Sequence, residues 1–161
     1  MLDYTFTEEQ NLLRETVREF ANREIKPKIR EMIRTRRIPD SIMKGMASQG
    51  FFGMAVPEKY GGPEYDPVTI GIVAEEIGRA DPTVSIPVLF LVDNAWSYLL
   101  SKYGTESLKG NILPDVVKGR KFVGIASTEP NFGSDVASMT TVAKHTGNKF
   151  PFQWIRELLL H

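Results

Sequence analysis

The stretch Thr128-Glu129-Pro130-Asn131-Phe132-Gly133-Ser134-Asp135 follows the apolar run Phe122-Val123-Gly124-Ile125-Ala126, and the two together decide how the chain is read. A run of that length, entered from Gly119-Arg120-Lys121 and left at Glu129-Pro130, predicts a buried strand that ends in an irregular polar loop. Gly133 can take left-handed backbone geometry, which lets consecutive N–H groups converge. The hydroxyls of Thr128 and Ser134 flank it, so an electron-rich oxygen or ring nitrogen could dock there. An ordinary turn is the alternative reading of the same residues.

Upstream of Gly119 the apolar periodicity is helical throughout. Thr7-Glu8-Glu9-Gln10 has the form of a capping box, and Leu13, Val17, Phe20 and Ala21 follow on one face. Pro27 predicts a kink or break, after which Ile29, Met32 and Ile33 resume the stripe. Pro39 suits a helix start, with Ile42, Met43, Met46 and Ala47 as its apolar face and Gly50 as its stop. From Val56 to Pro67 three prolines and Gly61-Gly62 predict an ordered, irregular connection. Ile70, Val73, Ala74 and Ile77 mark another helix, ending at Gly78. Its adjacent carboxylates, Glu75 and Glu76, point about 100 degrees apart and read as a solvated pair rather than an acid–base site. Asp81-Pro82 predicts the start of a helix that Pro87 interrupts and that runs through Ala95, Trp96, Leu99 and Leu100 to Gly104. It should be the most buried of all. Thr105 caps a further helix, with Pro114 as its kink. After Gly119 the pattern changes to two strands, Lys121 to Ser127 and Met139 to Lys144, with His145 to Asn148 as a hairpin turn. Pro151 to His161 reads as a short apolar helix.

Composition narrows the function. Twenty basic and twenty acidic residues cancel across 161 positions, so no global field favours nucleic acid or an anionic membrane. The basic excess between Arg14 and Arg37 is interleaved with apolar residues and reads as a solvated helix face. With no cysteine, disulfides and thiolate chemistry are excluded. His145 and His161 have no partner at ligand spacing, so no metal site is expected. No segment is long and apolar enough to span a bilayer, and Met1 to Tyr4 lacks signal-peptide character; a cytoplasmic protein is expected.

Ala126 to Asp135 resembles the first signature of the acyl-CoA dehydrogenase family, and three other motifs agree in order and spacing. Gly50-Phe51-Phe52-Gly53-Met54-Ala55-Val56-Pro57-Glu58-Lys59-Tyr60-Gly61-Gly62 is similar to a family loop, Glu75-Glu76-Ile77-Gly78-Arg79 to a family helix end, and Tyr103-Gly104-Thr105 also fits. The resemblance runs from about residue 4 to 150 and is far more specific than a lone glycine pattern.

The resemblance implies a mainly α fold: a helical N-terminal bundle over residues 1–118, the first strands of an incomplete β-domain over 119–150, and a divergent tail over 151–161. It implies FAD as cofactor, contacted by Ile125, Ala126, Ser127, Thr128, Gly133 and Ser134, and acyl-CoA as substrate, met by Ser134. Two positions depart from the signature, Ser127 where an aliphatic residue is usual and Phe132 where a small one is. The family's catalytic glutamate belongs to a C-terminal half with no counterpart in these residues, so no catalytic residue is assigned. The reading is a truncated acyl-CoA dehydrogenase, inactive alone and prone to self-association through unpaired strand edges. The alternative is a non-catalytic helical interaction protein derived from the same domain.

Overall fold

Thr7 opens the first helix as the capping box requires. Its hydroxyl accepts from the Gln10 N–H and its own N–H donates to Gln10 Oε1, both at 3.1 Å. The computed structural model describes residues 5–142. Contacts divide the chain into two units, Met1–Gly124 and Ile125–His161.

The described residues of the first unit form six α-helices. They are α1 (Glu8–Phe20), α2 (Ile29–Thr35), α3 (Asp40–Ser48), α4 (Pro67–Ala80), α5 (Ser85–Tyr103) and α6 (Glu106–Val117). α1 packs on α4, α4 on α5, and α5 on α6. Val17, Phe20, Ile42, Met46, Phe51, Phe52, Val73, Ile77, Ile86 and Phe90 are among the buried core. Each such side chain withdrawn from water contributes roughly 1.5–3 kcal/mol. At the centre, the Phe20 and Phe51 rings meet edge to face, 5.4 Å between centroids.

The α-helix is interrupted around Pro27, as expected, without the chain leaving its helical course. A π-helical turn (Ala21–Ile25) and a 3-10 turn (Lys26–Lys28) carry the chain from α1 into α2. Widening one turn and tightening the next absorbs the missing N–H and the bulk of the ring. The stripe then resumes only in part, with Met32 buried and Ile33 63% exposed.

α4 starts one turn before the expected stripe, because Asp66 Oδ1 accepts from the N–H groups of Val68 and Thr69 and Pro67 occupies the first helical position. It runs past Gly78 to Ala80. At the next junction Asp81 folds back: its Oδ1 accepts from Thr83 N–H and its Oδ2 from Ile86 N–H, starting α5 at Ser85. Pro87 falls in the first turn and interrupts nothing. α5 holds the most buried residues, seven of 19, but as a share of its length α4 with six of 14 is buried more. Val84, Val88, Leu91 and Tyr98 are exposed, as is Ala95, and Trp96, Leu99 and Leu100 are half-buried. The irregular loop after Val56 is ordered as expected. It holds a 3-10 turn (Glu58–Tyr60), and a Cβ on Gly62 would lie 2.1 Å from the Val56 carbonyl oxygen.

No strand forms among the described residues. The run expected as a strand, Lys121 to Ser127, is irregular, and Val123 N–H goes to a side chain, Asp93 Oδ1, at 3.3 Å. A strand exists only with a neighbour to complete its ladder. The second expected strand enters the described residues only to Val142, where it is unpaired, and the hairpin turn and the tail lie outside them.

Candidate functional site

The segment Ile125 to Ser134 belongs to the second unit, and its shape is set by a bend of four residues. Glu129 N–H donates to the Phe132 carbonyl at 2.9 Å, and Phe132 N–H returns to the Glu129 carbonyl at 3.2 Å. Pro130, with its fixed φ and no N–H to leave unmet, sits inside that bend. Ile125, Ala126, Thr128, Gly133 and Ser134 are exposed and Ser127 is half-buried. Gly133 does not supply the left-handed geometry expected of it: among the described residues the positive-φ glycines are Gly50, Gly53, Gly61 and Gly119. The reciprocal Glu129–Phe132 pair makes the bend without it, and a Cβ on Gly133 would meet nothing within 4 Å. Downstream, Asp135 opens a 3-10 turn (Val136–Ser138), taking the Ser138 N–H on its carbonyl and the Ser138 hydroxyl on Oδ2.

Glu129 is the one buried residue of the segment, and sequence reading passed over it. Its Oε2 accepts from Thr140 N–H at 2.8 Å and the Thr140 hydroxyl at 2.9 Å, and its Oε1 from Thr141 N–H at 2.6 Å. Hydrogen bonding from Thr141, then Thr140, holds the carboxyl down to about pKa 2.

In the first unit, α5 carries an adjacent polar pair into the interior. Asn94 accepts from Met54 N–H at 2.6 Å and donates to the Phe51 and Phe90 carbonyls at 3.1 and 2.9 Å, so the 51–54 turn is tied to α5 at both ends. Asp93, 1% exposed, receives Val123 N–H on Oδ1 and makes no hydrogen bond with Oδ2. Burial pushes it up to about pKa 6, opposed by the N–H groups of Val123 and Gly53. Glu76 is the converse case. It is 1% exposed and not solvated as its neighbour is, because Arg14 and Arg18 reach it from α1 and Arg79 from its own helix. Hydrogen bonding from Arg18 is the main cause of its descent to about pKa 2. Both acids are fixed within the bundle, and no cluster of three potential metal ligands occurs among the described residues. No helix among them is long and apolar enough to cross a membrane.

The profile of the acyl-CoA dehydrogenase N-terminal domain matches residues 7–120. The chain belongs to the acyl-CoA dehydrogenase family. It is 34% identical over 145 residues to a 3-(aryl)acrylate reductase of Clostridium sporogenes, covering 90% of this chain and 38% of that protein. It is also 34% identical over 149 residues to a short-chain-specific acyl-CoA dehydrogenase of Clostridium acetobutylicum, covering 92% and 39%. Among solved structures, a glutaryl-coenzyme A dehydrogenase in complex with glutaryl-CoA superposes with a TM-score of 0.86 at 30% identity, over 94% of this chain and 39% of that one. The chain thus spans about two fifths of the length of the relatives it matches.

The donors of the 125–134 segment are free to meet an acceptor, and a flavin edge is one that they fit. Among the described residues, the N–H groups of Ile125 to Thr128 and the hydroxyls of Thr128 and Ser134 make no hydrogen bond within the protein, and all but Ser127 are exposed. Such groups can donate to the oxygens and nitrogens of an isoalloxazine edge at no cost to existing bonds.

Proposed function

We propose that this chain is the N-terminal part of an FAD-dependent acyl-CoA dehydrogenase, presenting Ile125, Ala126, Ser127, Thr128, Gly133 and Ser134 to the flavin and Ser134 to the acyl-CoA. The observation that carries the reading is the row of uncommitted donors between Ile125 and Ser134, lying where the family signature begins. Bound FAD would supply the hydride acceptor for α,β-dehydrogenation. The chain's own contribution would be to hold that acceptor, with the Thr128 hydroxyl and neighbouring amides as donors to its polar edge and Ile125 as an exposed apolar side chain beside them. Proton abstraction needs a base, and neither Glu76 nor Glu129 can serve, since each is buried and its donors hold its pKa near 2, too weak a base to take an α-proton. Glutamate and oligomer contacts from sequence beyond these 161 residues would complete the site. The domain plan is a helical domain over 1–118, the first part of a β-domain over 119–150 whose strands pair only when the rest of the sheet is present, and a tail over 151–161. The purified chain, supplied with FAD, short acyl-CoA thioesters and an artificial electron acceptor, is expected to show no turnover. Turnover of any acyl-CoA contradicts the proposal.

A second reading, a helical interaction protein, is favoured by one observation: Val88, Leu91 and Tyr98 form an exposed apolar row along α5, with Val84 exposed just before it. A row of this kind favours self-association. Sedimentation at increasing concentration separates the readings, since discrete oligomers without flavin affinity support the second.

A further inference from the structure

Glu129 is an acid placed inside a segment proposed to face a cofactor, yet its charge is turned inward. Thr128 and Pro130 on either side of it are exposed, whereas Glu129 is 6% exposed. One carboxylate collects three donors from two consecutive residues: Thr140 N–H and hydroxyl on Oε2, and Thr141 N–H on Oε1. Hydrogen bonds to an ionised acceptor are about twice as strong as neutral ones. The only other acid in the described part of this unit, Asp135, is occupied by Ser138. Glu129 therefore makes the long-range closure of the segment, and the Glu129–Phe132 pair makes the short-range one. The two closures share one residue. Thr128 and Ser134, which flank the bend, take no part in either and keep their hydroxyls free.

We propose that Glu129 is the positioning residue of the flavin-contact segment: by binding Thr140 and Thr141 it closes residues 129–141 into one loop and so fixes the spacing at which Thr128 and Ser134 are offered to the cofactor. This rests on the flavin reading given above. Glu129 is not an acid–base group, because a carboxyl that three donors hold ionised neither gives nor takes a proton near neutral pH. An exposed carboxylate here would also repel an electron-rich flavin edge, and the loop removes that charge from its surface.

Amide hydrogen exchange and FAD titration test this together, using the chain with the C-terminal part of the Clostridium acetobutylicum relative added to complete the site. In the unaltered chain the amides of Thr140 and Thr141 exchange slowly. In Glu129→Ala both become fast while the amides of α1 to α6 are unchanged, and FAD affinity falls about tenfold or more, the value of one lost charged hydrogen bond or greater. Glu129→Gln keeps acceptor capacity without charge, and it lies between the two in both measurements. Fast exchange at Thr140 and Thr141 in the unaltered chain overturns the proposal. So does Glu129→Ala binding FAD as well as the unaltered chain does. If the unaltered chain shows the protected amides but takes up no FAD, the flavin reading itself fails and the role of Glu129 falls with it, whereas equal affinities in both forms overturn the role of Glu129 alone.

Discussion

Arg18 on α1 and Glu76 on α4 meet through two parallel hydrogen bonds, Nη2 to Oε1 at 2.8 Å and Nε to Oε2 at 2.9 Å, across 58 residues of sequence. The carboxylate is 1% exposed and the guanidinium nearly half exposed, so the acid depends on the base more than the reverse. Arg18→Ala should leave Glu76 buried with fewer partners and lower the urea midpoint, because the carboxylate that stays behind is 1% exposed. An unchanged midpoint would mean that the pair behaves as an exposed one.

The same carboxyl sets an acid limit. Its folded pKa, about 2, lies below the ordinary 4.5, so the stability it contributes is complete above pH 4.5 and is lost as pH falls towards 2. Glu76→Gln should be less stable than the unaltered chain at pH 7, with the gap closing between pH 4.5 and 2. Unfolding free energies measured across that window check it; a gap independent of pH contradicts it.

Asp93 works in the opposite sense. Its pKa rises from 3.8 to about 6, so between those values the folded chain holds a proton that the unfolded chain does not, and stability increases as pH falls through the window. Above pH 6 the buried charge costs on the order of 2–3 kcal/mol. Asp93→Asn retains an acceptor for Val123 N–H and removes the charge. Relative to the unaltered chain it should therefore be at its best near pH 7.5 and lose that relative advantage by pH 4.5. Denaturation midpoints of both proteins at the two pH values decide the matter.

Gly62 sits where no side chain fits. A methyl there would press on the Val56 carbonyl oxygen and carbon at 2.1 and 2.7 Å, and these are backbone atoms fixed by the hydrogen bond from Glu64 N–H to that oxygen. Gly62→Ala should lower stability by more than about 2 kcal/mol, as overpacking against an immovable neighbour does. Gly71→Ala, on a helix with open space at its Cβ, should be neutral or stabilising by up to about 1 kcal/mol. Thermal melts of the two variants side by side give the contrast.

Local signals in the sequence carried most of the helical plan. Thr7 and Thr105 act through bonds to residues three positions away, so the sequence shows both partners at once. Glu76 could not be read this way, since two of its arginines lie about 60 positions upstream and only the packing of α1 on α4 brings them near. Asp93 and Asn94 were hidden for a related reason: an acid–amide pair in an apolar helix looks like an exposed interruption until the 51–54 turn and Val123 are seen to need its acceptors. The apolar run at 121–127 and its flanks predict a strand, but a local run does not supply the neighbouring strand it would need. At the candidate site, Thr128 and Ser134 were legible as free hydroxyls. Glu129 was not, because its value lies in Thr140 and Thr141, and Gly133 was credited with a geometry that the Glu129–Phe132 pair makes unnecessary.

The most direct test of the account is the visible absorption spectrum of FAD titrated with this chain in the presence of the C-terminal part of the Clostridium acetobutylicum relative. The account predicts a shifted and structured flavin band that saturates with added chain and is weakened in Thr128→Val, which loses the hydroxyl but keeps the shape. A spectrum identical to free FAD at all concentrations, or a bound spectrum indifferent to Thr128, would contradict the assignment of residues 125–134 to the flavin.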